Sequence, residues 1–326
     1  MFKSTLSSLA GWLLLCTPLA CMPTARAEPA AVDAGLTSVE HSASLTVNPP
    51  APMRRQGILF KVARGGEVGY LFGTIHIGVK SFYSLAPAVS RALGDASQLV
   101  VELDTRADTA YQHAVAKYGS YPPDEHIRDH LTAQTMAQLT EALHAVGVTV
   151  SSVSRLKPWL LANILMGLEL QRSGFERTDG NEFFLLANAA ARGIAVAELE
   201  SADYQLSLFD TLDDADAERY LRESLSELSD GSSLRKARAT IDAWSSGDPA
   251  ALDALFPEAI NGDTVVSNFT RRTLLGRRNP EMASRIESIL QDGKTTFVGV
   301  GLLHLLGDEG LPRLLAQRGF HVERVY

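Results

Sequence analysis

Two histidines, far apart in the sequence, each follow an apolar run and a glycine at the same spacing. His76 ends Gly-Thr-Ile-His after residues 70–72, and His304 ends Gly-Leu-Leu-His after residues 296–300. Each run is typical of a buried strand, and the glycine lets the backbone turn or be approached closely where the strand ends. The spacing predicts that both imidazoles lie at the carboxyl ends of strands in one sheet, where open α/β folds have their sites.

A carboxylate and an arginine complete this set of candidates. Glu102 lies in the apolar run 99–103, which predicts a strand, and an acid in such a strand needs a partner. Two imidazoles and a carboxylate are an ordinary ligand set for a divalent transition metal, with positions left for water and substrate. The metal would lower the pKa of the water, and Arg278 would stabilise the oxyanion. We therefore expect His76, Glu102 and His304 as metal ligands, with Glu102 and Arg278 as catalytic residues.

Each candidate also has a structural interpretation. A histidine after a strand is often bonded to nearby backbone, and Arg278 also fits a solvated charge. Asn279, before a proline, is typical of a helix N-cap. His126 and His130 have the i, i+4 spacing of metal ligands, but their polar surroundings predict a solvated face. Two further acids are candidates for orienting the ligands, Glu200 and Asp104.

The elements that must position these residues are those of an α/β fold. The strand-like runs are residues 56–63, 68–72, 98–103, 194–199, 295–300 and 321–325. Most of the chain between about residues 104 and 290 has helical patterns instead, including a long helix predicted over 204–228. This order predicts one α/β domain over residues 56–326, with a central mixed sheet and a large helical insertion.

The N-terminal residues carry an export signal. Lys3, a short apolar run and Ala-Arg-Ala at 25–27 predict a signal peptide over residues 1–27, and residues 28–55 read as a flexible linker. Both cysteines, Cys16 and Cys21, fall inside the signal peptide. The chain is therefore expected to be periplasmic or secreted, with no transmembrane helix after cleavage. Lipid attachment through Cys21 is the alternative.

Charge and missing motifs exclude several classes of protein. The net charge of −8 falls to −10 when Lys3 and Arg26 are removed with the signal peptide, so nucleic acid is an unfavourable partner. The sequence has no G-x-S-x-G, H-E-x-x-H or P-loop motif. Gly299-x-Gly301 begins like a dinucleotide fingerprint, but the third glycine is replaced by His304. A peptide or a small molecule is the expected substrate.

Several short motifs occur in a characteristic order. Besides the two Gly-x-x-His segments they are Val-Glu-Leu-Asp at 101–104, Lys-Pro-Trp at 157–159, Leu-Glu at 199–200 with Gln205, Arg-Asn at 278–279, and residues 300–307. Together the chain from Gly57 to Tyr326 resembles the TraB/GumN/Tiki family. The resemblance implies an erythromycin-esterase/ChaN-like fold and, from the animal Tiki branch, a manganese- or cobalt-dependent peptidase activity.

The resemblance also assigns residues. His76 and His304 match the family's motif histidines, Glu102 matches its acid and Arg278 its arginine. Glu182, in Gly-Asn-Glu, is a looser match to a Gly-Ile-Asp motif. The sequence thus predicts an exported hydrolase, of peptidase type, that depends on Mn, Co or Zn. A haem- or ligand-binding protein of the ChaN-like fold and a degenerate regulator are the alternatives.

Overall fold

The computed structural model describes residues 55–104, 106 and 108–326. The predicted signal peptide and all of the predicted linker except Arg55 lie outside these residues. The first two strands, β1 (Leu59–Arg64) and β2 (Glu67–Thr74), pair antiparallel around a two-residue Gly-Gly turn. Gly65 has φ +59°, the left-handed conformation that such a hairpin turn requires.

Six strands form one mixed sheet. The other four are β3 (Gln98–Val101), β4 (Ala195–Glu198), β5 (Thr296–Gly301) and β6 (His321–Arg324). Their order across the sheet is β4-β3-β5-β2-β1-β6, with β4, β3, β5 and β2 parallel and β1 antiparallel to both of its neighbours. Every residue of β3 and β5 is buried, as the apolar runs predict for central parallel strands.

Helices fill the chain between these strands, and most lie between β3 and β5. They are α1 (Pro87–Asp95), α2 (Asp108–Tyr118), α3 (Ala133–Ala145), α4 (Pro158–Arg172), α5 (Asn181–Arg192), α6 (Ala202–Ser207), α7 (Asp214–Ser229), α8 (Ser232–Ser246), α9 (Pro249–Ile260), α10 (Val265–Phe269), a π-helix (Thr270–Arg277), α11 (Arg278–Leu290) and α12 (Leu311–Gln317). The predicted α/β fold with a large helical insertion is confirmed.

Two of the differences between predicted and observed bounds matter for the site or the insertion. The helix predicted over 204–228 is two helices, because α6 ends at Ser207 and α7 begins after Asp213, whose side chain caps it by accepting from Asp216 N. The strand predicted over 98–103 ends at Val101, so Glu102 follows β3 instead of lying within it. Glu102 is therefore the first residue after β3, at the carboxyl ends of the parallel strands, where the site lies.

The insertion is fixed to the sheet next to the first Gly-x-x-His segment. Trp244 of α8 donates its indole N–H to the carbonyl of Gly73, at 2.9 Å, and packs edge-on against Phe72. A Cβ on Gly73 would lie 2.8 Å from the side chain of Ile58 and 2.9 Å from that of Leu302, so a larger residue would force these packed side chains to shift. No helix among the described residues is long and apolar enough to cross a membrane.

Candidate functional site

Three of the expected site residues follow neighbouring parallel strands at one edge of the sheet. Thr74 pairs with Gly301 at the ends of β2 and β5, and Val101 of β3 pairs with Gly299. Glu102 is the next residue after β3, while His76 and His304 follow within one turn of their strands. The carboxyl ends of these three strands are therefore adjacent, as the sequence predicts for the strands before the two histidines.

Glu102 is held from two sides. Its Oε2 accepts from Nη2 of Arg278 at 2.6 Å, and its Oε1 accepts from the backbone N–H of Gly301 at 2.5 Å. The second bond ties the carboxylate after β3 to the glycine of the second Gly-x-x-His segment. The carboxylate is 7 % exposed, which makes these two partners necessary.

Arg278 bridges two buried carboxylates. Besides Glu102 it binds Glu200, with Nε 2.9 Å from Oε1 and Nη2 2.6 Å from Oε2. Gln205 donates a further hydrogen bond to Glu200 at 2.8 Å. Burial alone lowers the pKa of Arg278, yet the two carboxylates outweigh burial and raise it above its ordinary value. The guanidinium, 1 % exposed, is therefore a fixed buried cation that orients Glu102.

His76 is oriented by a second carboxylate. Its Nδ1 lies 3.0 Å from Oε1 of Glu182, and the same oxygen accepts from the hydroxyl of Thr74 at 2.5 Å. Burial raises the pKa of Glu182, but the His76 ring and the Thr74 hydroxyl outweigh burial and lower it overall. Because an ionised carboxylate only accepts hydrogen bonds, the ring carries its proton on Nδ1 when it is neutral, and its lone pair lies on Nε2.

The start of α5 presents Glu182 to His76. Asn181 clamps the backbone of Ile75 by accepting from its N–H at 3.0 Å and donating to its carbonyl at 3.1 Å. A Cβ on Gly180 would lie 2.5 Å from the carbonyl oxygen of His76, so glycine is needed at this crossing. Glu182 stands in the first turn of α5, where the helix dipole favours a negative charge.

His304 is oriented by an amide. Its Nδ1 lies 2.5 Å from Oδ1 of Asn279, whose Nδ2 donates to the carbonyl of Glu309 at 2.8 Å. Since the amide nitrogen is used as a donor there, Oδ1 accepts from His304, and the imidazole carries its proton on Nδ1. The prediction that Asn279 caps a helix is wrong, because the π-helix continues into α11 without a break and Asn279 lies inside it.

The other ring nitrogen of His304 faces the buried carboxylate. Its Nε2 lies 3.7 Å from Oε1 of Glu102 and has no hydrogen bond within the described part of the chain. Burial, then Arg278 and the neighbouring His76, hold the pKa of His304 well below its ordinary value. A neutral, buried imidazole with a lone pair on Nε2 is the form that binds metals or accepts a proton.

Both imidazoles have the surroundings of metal ligands. Metal-binding histidines almost always donate their second ring N–H to a carboxylate or carbonyl oxygen, which is the arrangement of His76 with Glu182 and of His304 with Asn279. The two imidazoles therefore fit a divalent transition metal. Across residues 55–104, 106 and 108–326, however, no group of three His, Cys, Asp or Glu side chains stands in an arrangement that could hold the ion.

Of the remaining candidates, Glu200 lies at the site, and the other three lie outside its network. The carboxylate of Asp104 pairs with Arg106 at 2.6 Å, while Glu200 belongs to the Arg278 network. His126 and His130 form contacts with nearby acids, and His130 also stacks on Tyr121 with ring centroids 4.0 Å apart.

Tyr83 supports the site and was missed from the sequence. Its hydroxyl lies 2.8 Å from the carbonyl of Asp179 and 2.9 Å from that of Gly180, next to the start of α5. Its ring stacks on Phe184 of α5, with centroids 4.5 Å apart. No local pattern in the sequence connects Tyr83 with a segment almost a hundred residues away.

The fold and this edge site define an α/β protein with paired Gly-x-x-His segments. The model of the TraB/PrgY/gumN family matches residues 58–324, and the chain belongs to that family. The chain is similar to "Uncharacterized protein YbaP" of Shigella flexneri, at 24 % identity over 252 residues that span 77 % of this chain and 89 % of the relative. The protein of the same name from Escherichia coli (strain K12) has the same identity and coverage. No solved structure matches the chain.

Proposed function

We propose that the protein is a metal-dependent hydrolase of peptidase type, in which His76 and His304 hold a divalent transition metal, Mn, Co or Zn. One observation carries the proposal. Each imidazole is oriented through Nδ1 by a buried oxygen, from Glu182 or from Asn279, which leaves Nε2 as the ligand atom. When bound, such an ion lowers the pKa of water and polarises a carbonyl group.

The other residues of the site have distinct roles in this proposal. Glu102 is the group that accepts a proton or completes the ligand set, because its Oε1 lies 3.7 Å from Nε2 of His304. Arg278 serves as a positioning residue for Glu102. Its guanidinium is already committed to Glu102 and Glu200, which argues against the role of oxyanion donor expected from the sequence.

Substrate approaches from the side of His76 in this proposal. His76 and Glu102 are each 7 % exposed, while His304 is fully enclosed. A peptide or a small molecule that reaches this edge therefore meets His76 and Glu102 first. We further propose that hydrolysis takes place in the periplasm or outside the cell, as the predicted signal peptide implies.

Metal analysis of protein purified without chelator tests the proposal. The metal-free protein is titrated with Mn²⁺, Co²⁺ and Zn²⁺ by calorimetry, and a peptide library is screened with each ion. His76→Ala and His304→Ala are expected to lose most of the affinity and all hydrolysis. The control is His144→Ala, an exposed histidine at the end of α3. If the wild type binds none of the ions more tightly than the His76→Ala/His304→Ala double variant, the proposal is wrong.

A non-catalytic ligand-binding protein is the second candidate. It is favoured because no group of three His, Cys, Asp or Glu side chains among the described residues is arranged to hold a metal ion. Metal binding that depends on His76 and His304, without hydrolysis of any library member, would support this candidate over the hydrolase.

A further inference from the structure

A cavity of about 440 Å³ opens in the helical insertion and shares no residue with the candidate functional site. It lies between the start of α7, the segment before α10, and the π-helix. Its volume falls in the range of about 300–1,000 Å³ that is usual for small-molecule pockets. The cavity is thus large enough for a small molecule or a short peptide.

Three of the ten residues that line the cavity are apolar, and we call this part of the lining its floor. Val265 and Phe269 of α10 line it and are 9 % and 5 % exposed, and the half-buried Leu212 lines it from the opposite segment. These side chains belong to the hydrophobic core or pack against it, so the floor is fixed. An apolar group placed on it would be removed from water.

The rim of the cavity carries charges of both signs. Arg272 and Asp263 line it, both are exposed, and neither side chain has a hydrogen bond or ion pair with another described residue. Arg219 and Asp216 line it too, with the nearest nitrogen and oxygen 3.9 Å apart. Half-exposed charges at that distance attract each other only weakly.

This combination selects the class of ligand. A simple anion would meet two aspartates, and a simple cation would meet two arginines. A molecule with both charges and an apolar body would satisfy the rim and cover the floor. We propose that the cavity binds short apolar peptides with unmodified ends, whose carboxylate is bound by Arg272 and whose ammonium group is bound by Asp263.

The proposed site is independent of hydrolysis, but it touches the segment that leads to Arg278. Arg272 lies on the π-helix, which continues into α11 at Arg278. π-Helical turns often occur at functional sites. A bound peptide would therefore contact the element that positions the Arg278–Glu102 pair.

Calorimetry with leucyl-leucine as the probe tests this inference on the metal-free protein. We expect binding that weakens about threefold when the amino end is acetylated, and about threefold when the carboxyl end is amidated, as for the loss of one solvent-exposed ion pair. Arg272→Gln is expected to weaken binding of the unmodified dipeptide about threefold and to leave binding of the amidated form unchanged. Asp263→Asn is expected to do the same for the acetylated form.

The control is Arg238→Gln, an exposed arginine of α8 that does not line the cavity. It is expected to bind all three probes as the wild type does. The proposal is overturned if the unmodified dipeptide binds no more tightly than the acetylated and amidated forms. It is also overturned if Arg272→Gln binds like the control. Because no metal is present, these outcomes are separate from success or failure of the proposed hydrolase.

Discussion

The two Gly-x-x-His segments have the same sequence pattern, yet they place their histidines in different surroundings. His76 follows β2, keeps a small exposed fraction, and is oriented by the carboxylate of Glu182. His304 follows β5 in a short 3-10 helix, is fully enclosed, and is oriented by the neutral amide of Asn279. One motif thus supplies two imidazoles with different electrostatics.

The difference lies in the charges around each ring. Nδ1 of His76 lies 3.0 Å from the Glu182 carboxylate, whose pKa is held below its ordinary value. Around His304, burial and the Arg278 guanidinium hold the pKa of the ring well below its ordinary value, although the Glu102 carboxylate lies 3.7 Å from Nε2. The Gly-x-x-His spacing therefore fixes where each imidazole lies, while residues distant in sequence set the charges around it.

The largest expected effect is on the His304 side, where the charges are buried most deeply. Arg278→Ala would leave Glu102 and Glu200 buried without their cation, and we expect a loss of about 3–5 kcal/mol in the free energy of unfolding. Urea denaturation measures it. Arg285→Ala, an exposed arginine on the same helix α11, is the control and is expected to stay within about 0.5 kcal/mol of wild type. Equal stability of the two variants would show that the network does not support the fold.

The next prediction tests whether the residue that orients His76 also affects how tightly the metal binds. Glu182→Ala removes the acceptor for Nδ1, and we expect metal affinity to fall by about 10–100-fold, as for other residues that orient metal ligands. Calorimetry with Zn²⁺ measures this change. Glu176→Ala, an exposed glutamate near the start of α5, serves as the control. Unchanged affinity in Glu182→Ala would mean that the Glu182 contact does not assist metal binding.

A third variant tests the amide. Asn279→Ala leaves Nδ1–H of His304 and the Glu309 carbonyl without their partner, and we expect a loss of about 2 kcal/mol in the free energy of unfolding. Thermal and urea unfolding measure it, with the exposed Asn261→Ala as the control. If Asn279→Ala were as stable as the control, the Asn279 amide would not be what orients His304.

Sequence patterns predicted the strands and the two histidines because those features are local. A buried parallel strand reads as a short apolar run, and a glycine marks where it ends. The same reasoning placed the end of β3 two residues too late, because a run that continues with Leu103 gives no sign that pairing stops at Val101. The family resemblance supplied the order of motifs that no single run provides.

The partners of the site residues could not be predicted, since they are distant in sequence. Arg278 meets Glu102 across 176 positions and Glu200 across 78. Asn279 was misread because an asparagine before a proline has the same local pattern at an N-cap and inside a helix that continues from a π-helix. What decides between the two is the packing of His304 against Asn279, a contact made only after folding.

The smallest expected effect sharpens the contrast between a charged and a neutral acceptor. Thr74 and Thr270 are both fully buried, but the Thr74 hydroxyl donates to the Glu182 carboxylate, whereas the Thr270 hydroxyl donates to the Val266 carbonyl one helical turn back. Thr74→Val is expected to lose about 1.5 kcal/mol, the low end for a hydrogen bond to a charged group, because His76 still binds the same oxygen. Thr270→Val is expected to lose less than about 0.5 kcal/mol, since that carbonyl is also an acceptor in the helix and such side-chain bonds add little to helix stability. Urea unfolding of the two variants side by side measures the difference. Equal losses would contradict an ionised Glu182 beside His76, and with it the electrostatic difference between the two Gly-x-x-His segments.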